Sequence, residues 1–397
     1  MKKKVFFTFF LVAIILLVTA FSIQRLQLAK KIQQTPYLHN FPLELVWSFD
    51  SDYRILRPAR IANDVAIIHT EKRPLEGFFQ ITHIALNIED GTILWELPLS
   101  QYIGWDRELH WSFSEENAFF IGGNKIIAAN LATGLPPWPS KRYGSSTVIS
   151  NNDNVFVASF GFINAFDANT GSEQWRNSSD SLPHHFVMFY DEELNILVVP
   201  ERDTIYILNA DTGEIVQQQQ IEEDEGWDFY CSNWLDTITY YEERIYCGPM
   251  AVDLYTGEVV SNKKFRYSGG HVWRPLIKDN IMYFPAALGT IRALDLNTFE
   301  LLWEFKPNSV NDNNVRIISG AAVLDGAVYA IADNGFLYAF DIETGEEIGW
   351  WQSPEGVVDW TKGWSGSTPI LGVVSDGEKL YVNFGKQTLY TFEKQDE

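Results

Sequence analysis

The sequence predicts an all-β protein, an eight-bladed β-propeller carried behind one N-terminal membrane helix. Three observations predict it. A turn motif returns about every 42 residues, a spacing that fits one four-stranded blade. The two chain ends complement each other as halves of one further blade. A charge-free segment follows three lysines at the N-terminus.

The turn motif reads Ala-x-Asp/Asn-x-x-Thr-Gly-x-x-x-Trp. Its Gly position falls at 91, 134, 171, 213, 257, 299 and 345. Asn87, Asn130, Asp167, Asn209, Asp253, Asp295 and Asp341 open the seven turns. Each residue type has a physical task. The stretch before each turn alternates like a half-buried strand. Asp or Asn can accept a bond from the backbone two residues on, and Gly takes the positive φ that closes the hairpin. Trp47, Trp95, Trp138, Trp175, Trp303 and Trp350 are assigned to the position after the turn, where a large ring can pack between blades.

Closure is also legible. The C-terminal Leu389-Tyr-Thr-Phe-Glu393 matches a strand before the turn, and Glu44-Leu-Val-Trp47 matches the strand after it. Seven internal turns and one joined blade make eight, and joining first and last strands removes an open sheet edge. The expected division is a membrane segment over 1–23, a linker over 24–42 and the propeller over 43–397.

Val5 to Ile23 carries no charge, and its 19 residues would rise about 28 Å as a helix, enough for one bilayer core. Lys2, Lys3 and Lys4 should remain cytoplasmic, which sends the body across the membrane. A cleavable signal with Val18-Thr19-Ala20 at its cleavage site is the rival reading, and the length favours an uncleaved anchor. The expected location is the outer side of a bacterial cytoplasmic membrane.

These repeats resemble the pyrroloquinoline-quinone (PQQ)-like, Trp-docking propeller repeat over residues 43–397. Three departures stand out: Phe299 replaces a glycine, and Gln217 and Ser261 replace tryptophans. Trp350 is displaced by one residue. The seam between blades 5 and 6 should therefore dock less tightly unless other aromatics compensate. The family's functions divide. Some members are alcohol or sugar dehydrogenases that use PQQ and calcium. Others bind no quinone and act as scaffolds, notably the propeller lipoprotein of the outer-membrane β-barrel assembly machine. The size resembles the scaffolds, although the lipid-accepting cysteine is missing.

The chain carries 30 Lys+Arg against 52 Asp+Glu, a net charge of −22, so nucleic acid is not an expected partner. No adjacent cysteine pair and no Asp-x-Asp-x-Asp-Gly calcium loop occurs. Neither a Gly-x-Ser-x-Gly elbow nor Gly-x-Gly-x-x-Gly is found. No catalytic or metal-binding residue is therefore assigned, and no cofactor is expected. PQQ with calcium is the alternative, and polysaccharide binding on aromatic platforms is a third class. Cys231 and Cys247 flank a strand–turn–strand and read either as a disulfide or as two buried thiols.

The surplus aromatics point elsewhere. Of the eight tryptophans outside the assigned docking set, seven fall between the outer strand of one blade and the inner strand of the next. Arg57, Trp111, His185, Trp234, Trp273, Arg274, Arg316 and Trp364 are the candidate binding residues of an axial mouth. Aromatics with Arg suit a binding surface, while capping and channel plugging are the bland reading of the same rings. The functional expectation is a tethered scaffold or ligand-binding module with a protein partner in the envelope. The alternative is a PQQ- and calcium-dependent dehydrogenase.

Overall fold

The computed structural model describes residues 38–395 apart from 73–78, 103–110, 123–124, 143–144, 160, 179–186, 202, 222–237, 248–249, 262–274, 287–288, 307–314 and 357–370. The expected membrane segment 1–23 lies outside the described residues. Among these no helix is long and apolar enough to cross a membrane.

The described strands form eight antiparallel sheets, each one blade. Blade 1 runs from Arg54–Ile55 to Ile93–Tyr102, blade 2 from Trp111–Phe113 to Lys141–Arg142, and blade 3 from Ser145–Ser150 to Glu173–Asn177. Blade 4 runs from Phe189–Asp191 to Ile215–Gln220, and blade 5 from Ile238–Tyr241 to Val259–Ser261. Blade 6 runs from Leu276–Lys278 to Leu301–Phe305, and blade 7 from Ala322–Leu324 to Glu347–Gln352. Blade 8 takes Gly372–Ser375, Lys379–Asn383 and Thr388–Lys394 from one chain end and Leu43–Asp50 from the other. The joining register runs from Leu43↔Lys394 to Asp50↔Thr388.

The core is not one mass but a ring of eight apolar clusters, one in each seam between neighbouring blades. Both faces of the middle strands are covered, so Val155, Phe156, Val157 and Ala158 are all buried in succession. Outer strands have one face on a seam and the other in water. Ile215–Gln220 therefore alternates between half-buried and exposed.

The motif turns supply the seam's fixed joints. In all seven, the N–H of the Gly-position residue donates to the carbonyl of the Asp or Asn four residues before. The six glycines have φ between +68° and +72°. The indole N–H of Trp47, Trp95, Trp138, Trp175 and Trp303 donates to the next blade's turn, at the carbonyls of Ile88, Leu131, Ala168, Ala210 and Ile342. A Cβ at Gly134 would lie 2.6 Å from the Trp95 ring, so the glycine also makes room for the docking indole.

Trp350 does not take that place, and its assignment to the docking set is corrected. Gly349 faces Ala339 at the register point where Trp303 faces Ala293 in blade 6. A Cβ there would collide with the backbone carbonyls of His39 and Asn40. Leu38–His39 pairs with Trp351 and Trp350 as a fifth strand of blade 7, so the stretch expected to be linker ends in a strand. Trp351 fills the seam to blade 8 instead, edge-on to Tyr390 and Phe392. Trp350 stacks on Phe336 of its own blade.

The seam between blades 5 and 6 is filled from the other side. Phe299 accepts φ +56° and is buried against Tyr246, with ring centroids 6.4 Å apart and an interplanar angle of 11°. Met282, Phe284 and Leu296 belong to the same cluster, and Val260 packs against it opposite Ala251, which corrects the assignment of Ser261 to the tryptophan position. The bulk that the tryptophan position lacks stands where the glycine was expected.

Candidate functional site

Antiparallel strand order sorts the loops onto two faces. The turn after the innermost strand and the motif turn share one face in each blade. They are bonded there: Ile88 donates to Asp64, Leu131 to Glu116, Ala168 to Asp153 and Ile342 to Gly326. The turns between the two middle strands lie on the opposite face, with the connections from one blade to the next. The seven stretches 103–110, 143–144, 179–186, 222–237, 262–274, 307–314 and 357–370 all belong to such connections.

The turn face is regular and acidic. Asp167 shows why its geometry repeats. Its carboxylate accepts the N–H of Asn169 and both the N–H and hydroxyl of Thr170. The backbone bond from Thr170 leads in holding the Asp167 carboxyl below its ordinary value, against a weaker pull upward from burial. Asp295 and Asp341 are lowered in the same way. Two basic side chains on this face are engaged by acids. Lys379 bonds Glu89 at 2.9 Å, and Lys394 bonds Asp325 at 3.2 Å.

Two candidate arginines lie on the connection face. The Arg316 carbonyl accepts the N–H of Asp333 of blade 7, and the Arg316 N–H donates to the Asp333 carboxylate. Its side chain passes over Gly289 of blade 6, where a Cβ would come within 2.4 Å of it. Arg57 enters blade 1 beside blade 8: its carbonyl accepts from Asn383, and Arg54 of the same entry donates to the Gly385 carbonyl. Trp111 is half-buried in the seam between blades 1 and 2, with its ring 6.0 Å from Phe120 and 5.3 Å from His83. His185, Trp234, Trp273, Arg274 and Trp364 lie outside the described residues. Among the described ones, no group of three or more His, Cys, Asp or Glu is placed to hold a metal ion. Cys247 is buried in the seam between blades 4 and 5 and is disulfide-bonded. Cys231, the other cysteine of the sequence, lies outside the described residues.

One pair was missed by the sequence reading. His69 and His83 face each other across neighbouring strands of blade 1, with their Nδ1 atoms 3.3 Å apart and both rings wholly buried. The available signal was a histidine at an inward position of a strand that otherwise reads Val-Ala-Ile-Ile.

The family model described as outer membrane protein assembly factor BamB matches residues 43–175 and 159–397. A quinoprotein alcohol dehydrogenase, PedH of Pseudomonas putida, is 22% identical over 324 residues, 76% of this chain and 46% of that protein. An outer membrane protein assembly factor BamB of Francisella salina is 33% identical over 88 residues, 22% of this chain and 15% of that one. The chain therefore spans less than half the length of each of these curated relatives. Among solved structures, BamB from Moraxella catarrhalis aligns with a TM-score of 0.57 at 15% identity, covering 88% of this chain and 99% of that one. Quinohemoprotein alcohol dehydrogenase from Comamonas testosteroni aligns with a TM-score of 0.59 at 15% identity, covering 90% and 77%. At such identities these two likenesses speak for the fold alone. Repeat, ring closure and a family match across both halves of the propeller agree, and the chain belongs to the PQQ-like β-propeller family whose model is described as outer membrane protein assembly factor BamB.

Proposed function

We propose that the protein is a scaffold or ligand-binding module of the bacterial envelope, held at the outer side of the cytoplasmic membrane by its N-terminal segment. Its partner is a protein that docks on the connection face. The observation that carries this reading is the division of the two faces. On the turn face the motif carboxylates and amides are held in the repeat's own hydrogen bonds, and the connection face carries Arg57 and Arg316. Trp111, the first residue of the innermost strand of blade 2, also lies beside that face. A basic and aromatic spot on a body of net negative charge suits selective docking. The family match to an assembly factor supports the same reading.

The test is crosslinking of the full chain in membranes, beside an Arg57→Ala/Arg274→Ala/Arg316→Ala variant with an unchanged circular dichroism spectrum. A specific crosslinked protein that is lost in the variant is expected. Equal capture by the folded variant would sink the connection-face assignment. The dehydrogenase reading rests on the likeness to PedH. It is tested by adding PQQ with calcium to the detergent-solubilised chain and following tryptophan fluorescence and quinone absorbance. Saturable, calcium-dependent binding would replace the scaffold reading.

A further inference from the structure

Blade 1 departs from its neighbours in the seam it shares with blade 2. His69 and His83 form the cross-strand pair next above Ile67 and Ala85. At the matching point five other blades place hydrocarbon: Ile121 with Ile126, Ala158 with Ile163, Pro200 with Ile205, Pro285 with Ile291, and Ile331 with Leu337. The two histidines are therefore not required by the repeat.

Their surroundings suit neutral rings and not a charge. One Nδ1–H donates to the other Nδ1, and among the described residues neither Nε2 has a partner. The His83 ring stacks on Phe120 at 4.2 Å, and Trp111 stands edge-on to His69 at 6.2 Å. Ile67 and Ala85 cover one side of the pair, and Leu97 lies beside His83. Among the described residues two charged groups face the pair. Arg57 opposes a positive charge on His69. Glu71 is buried one pair further along the same face, opposite Ile81. From blade 2, the described residues that meet the pair are the rings of Trp111 and Phe120. Burial lowers His83 to about 3. His69 is held well below its usual value by burial first, then by His83 and Arg57.

We propose that the histidine pair is a proton-sensitive latch on the seam between blades 1 and 2, closed when both rings are neutral and opened when one is protonated. Opening frees Trp111 and shifts Arg57, so mild acid would reshape the connection face. The latch stands whether or not that face binds a partner. The sign follows from linkage. A histidine lowered in the closed state takes up protons more readily in the open state, where it titrates near 6.5. The closed state is thus fully favoured above that value and loses ground as pH falls from it towards the folded one. By pH 5 the shift amounts to roughly thirty-fold in the opening equilibrium for a single histidine.

The experiment is hydrogen exchange with mass spectrometry on the full chain in detergent at pH 7.5 and 5.0, corrected for intrinsic rates. The peptides are those spanning 65–72, 79–87 and 111–122, with blades 3 and 4 as internal reference. Exchange in the seam should rise about tenfold or more at pH 5.0 relative to the reference, reversibly. A His69→Leu/His83→Leu variant, which copies the hydrocarbon pairs of those five blades, should show no such rise. An unchanged seam in the native chain, or the same rise in the variant, would overturn the latch. If the variant does not fold, deuterium exchange at the imidazole C2–H of the native chain gives the titration midpoints. Midpoints well below 6.5 support the latch, and midpoints near 6.5 for both overturn it.

Discussion

Trp95 and Gly134 show how a single residue pair sets one joint of the ring. The indole N–H of Trp95 reaches the Leu131 carbonyl at 2.7 Å, and the ring lies where a Cβ of residue 134 would be. Trp95→Phe keeps most of the apolar area and removes the donor, so it should cost about 1–2 kcal/mol. Trp95→Ala should cost about 3–5 kcal/mol. Gly134→Ala meets both the ring and φ +68°, and should cost about 2 kcal/mol or more. Urea unfolding orders the three, and a neutral Gly134→Ala would contradict the docking geometry. The turn carboxylates answer differently. Asp167 is held low by its bonds from Thr170 and Asn169. Its contribution is present above its unfolded value near 4 and is lost as pH falls through the folded one. Asp167→Asn should change stability by less than about 0.5 kcal/mol at pH 7, because Asn130 already makes the same bonds to Ala132 and Thr133. The variant should also lose its share of the acid sensitivity, read from denaturation at pH 3 against pH 7.

At the scale of the element, the seam between blades 5 and 6 is the informative exception. Its repeat sequence lacks both the tryptophan and the glycine, yet Phe299 lies stacked on Tyr246 and is 6% exposed. Phe299→Gly restores the repeat consensus and removes the filling ring. The cavity should cost about 3–5 kcal/mol, less about 1 kcal/mol from relief of the positive φ. Adding Val260→Trp, at the residue that faces Ala251 and packs in this seam, to Phe299→Gly should recover at least half of that loss, because the pair then matches the other seams. A double-mutant cycle with no coupling would show that the two positions do not substitute for each other. The turns and most of the docking tryptophans were legible because each is a local pattern with a fixed spacing. Phe299 was legible as a departure but not as a remedy, since its partner Tyr246 lies 53 residues away in sequence. Trp350 and Trp351 were exchanged for the same reason. Nothing local announces that the backbone near His39 needs the space Gly349 leaves. The histidine pair was hidden likewise, because its meaning lies in a comparison of matching pairs from separate blades.

At the scale of the whole molecule, stability depends on closing a ring whose ends come from opposite termini. The closing contacts are dense: Thr388 donates to Asp50, Lys379 bonds Glu89 in blade 1, and Asn383 donates to the Arg57 carbonyl. Leu43–Asp50 also supplies Trp47, whose indole docks on the Ile88 carbonyl of blade 1. Of the described residues, a chain beginning at residue 41 loses the short strand Leu38–His39 and Asn40, with Leu38 already exposed, and it should unfold within a few degrees of a body that begins at residue 38. A chain beginning at residue 51 loses the outer strand of blade 8 and leaves Thr388–Lys394 as an open edge. Burial of Leu43 contributes about 1.5–3 kcal/mol, and half-burial of Trp47 and Phe49 adds about 1–2 kcal/mol each, before any ladder bond is counted. That sum is comparable to the entire stability of about 5–15 kcal/mol expected of a folded domain. The shorter chain should therefore lack a cooperative thermal transition and should aggregate through its free edge. A synthetic peptide spanning residues 41–50, added during refolding, should restore the transition by completing the blade in trans. A cooperative transition in the shorter chain without the peptide would mean that seven blades can hold the ring alone. The strand pairing at Leu43–Asp50 would then be an addition to the fold and not its closure.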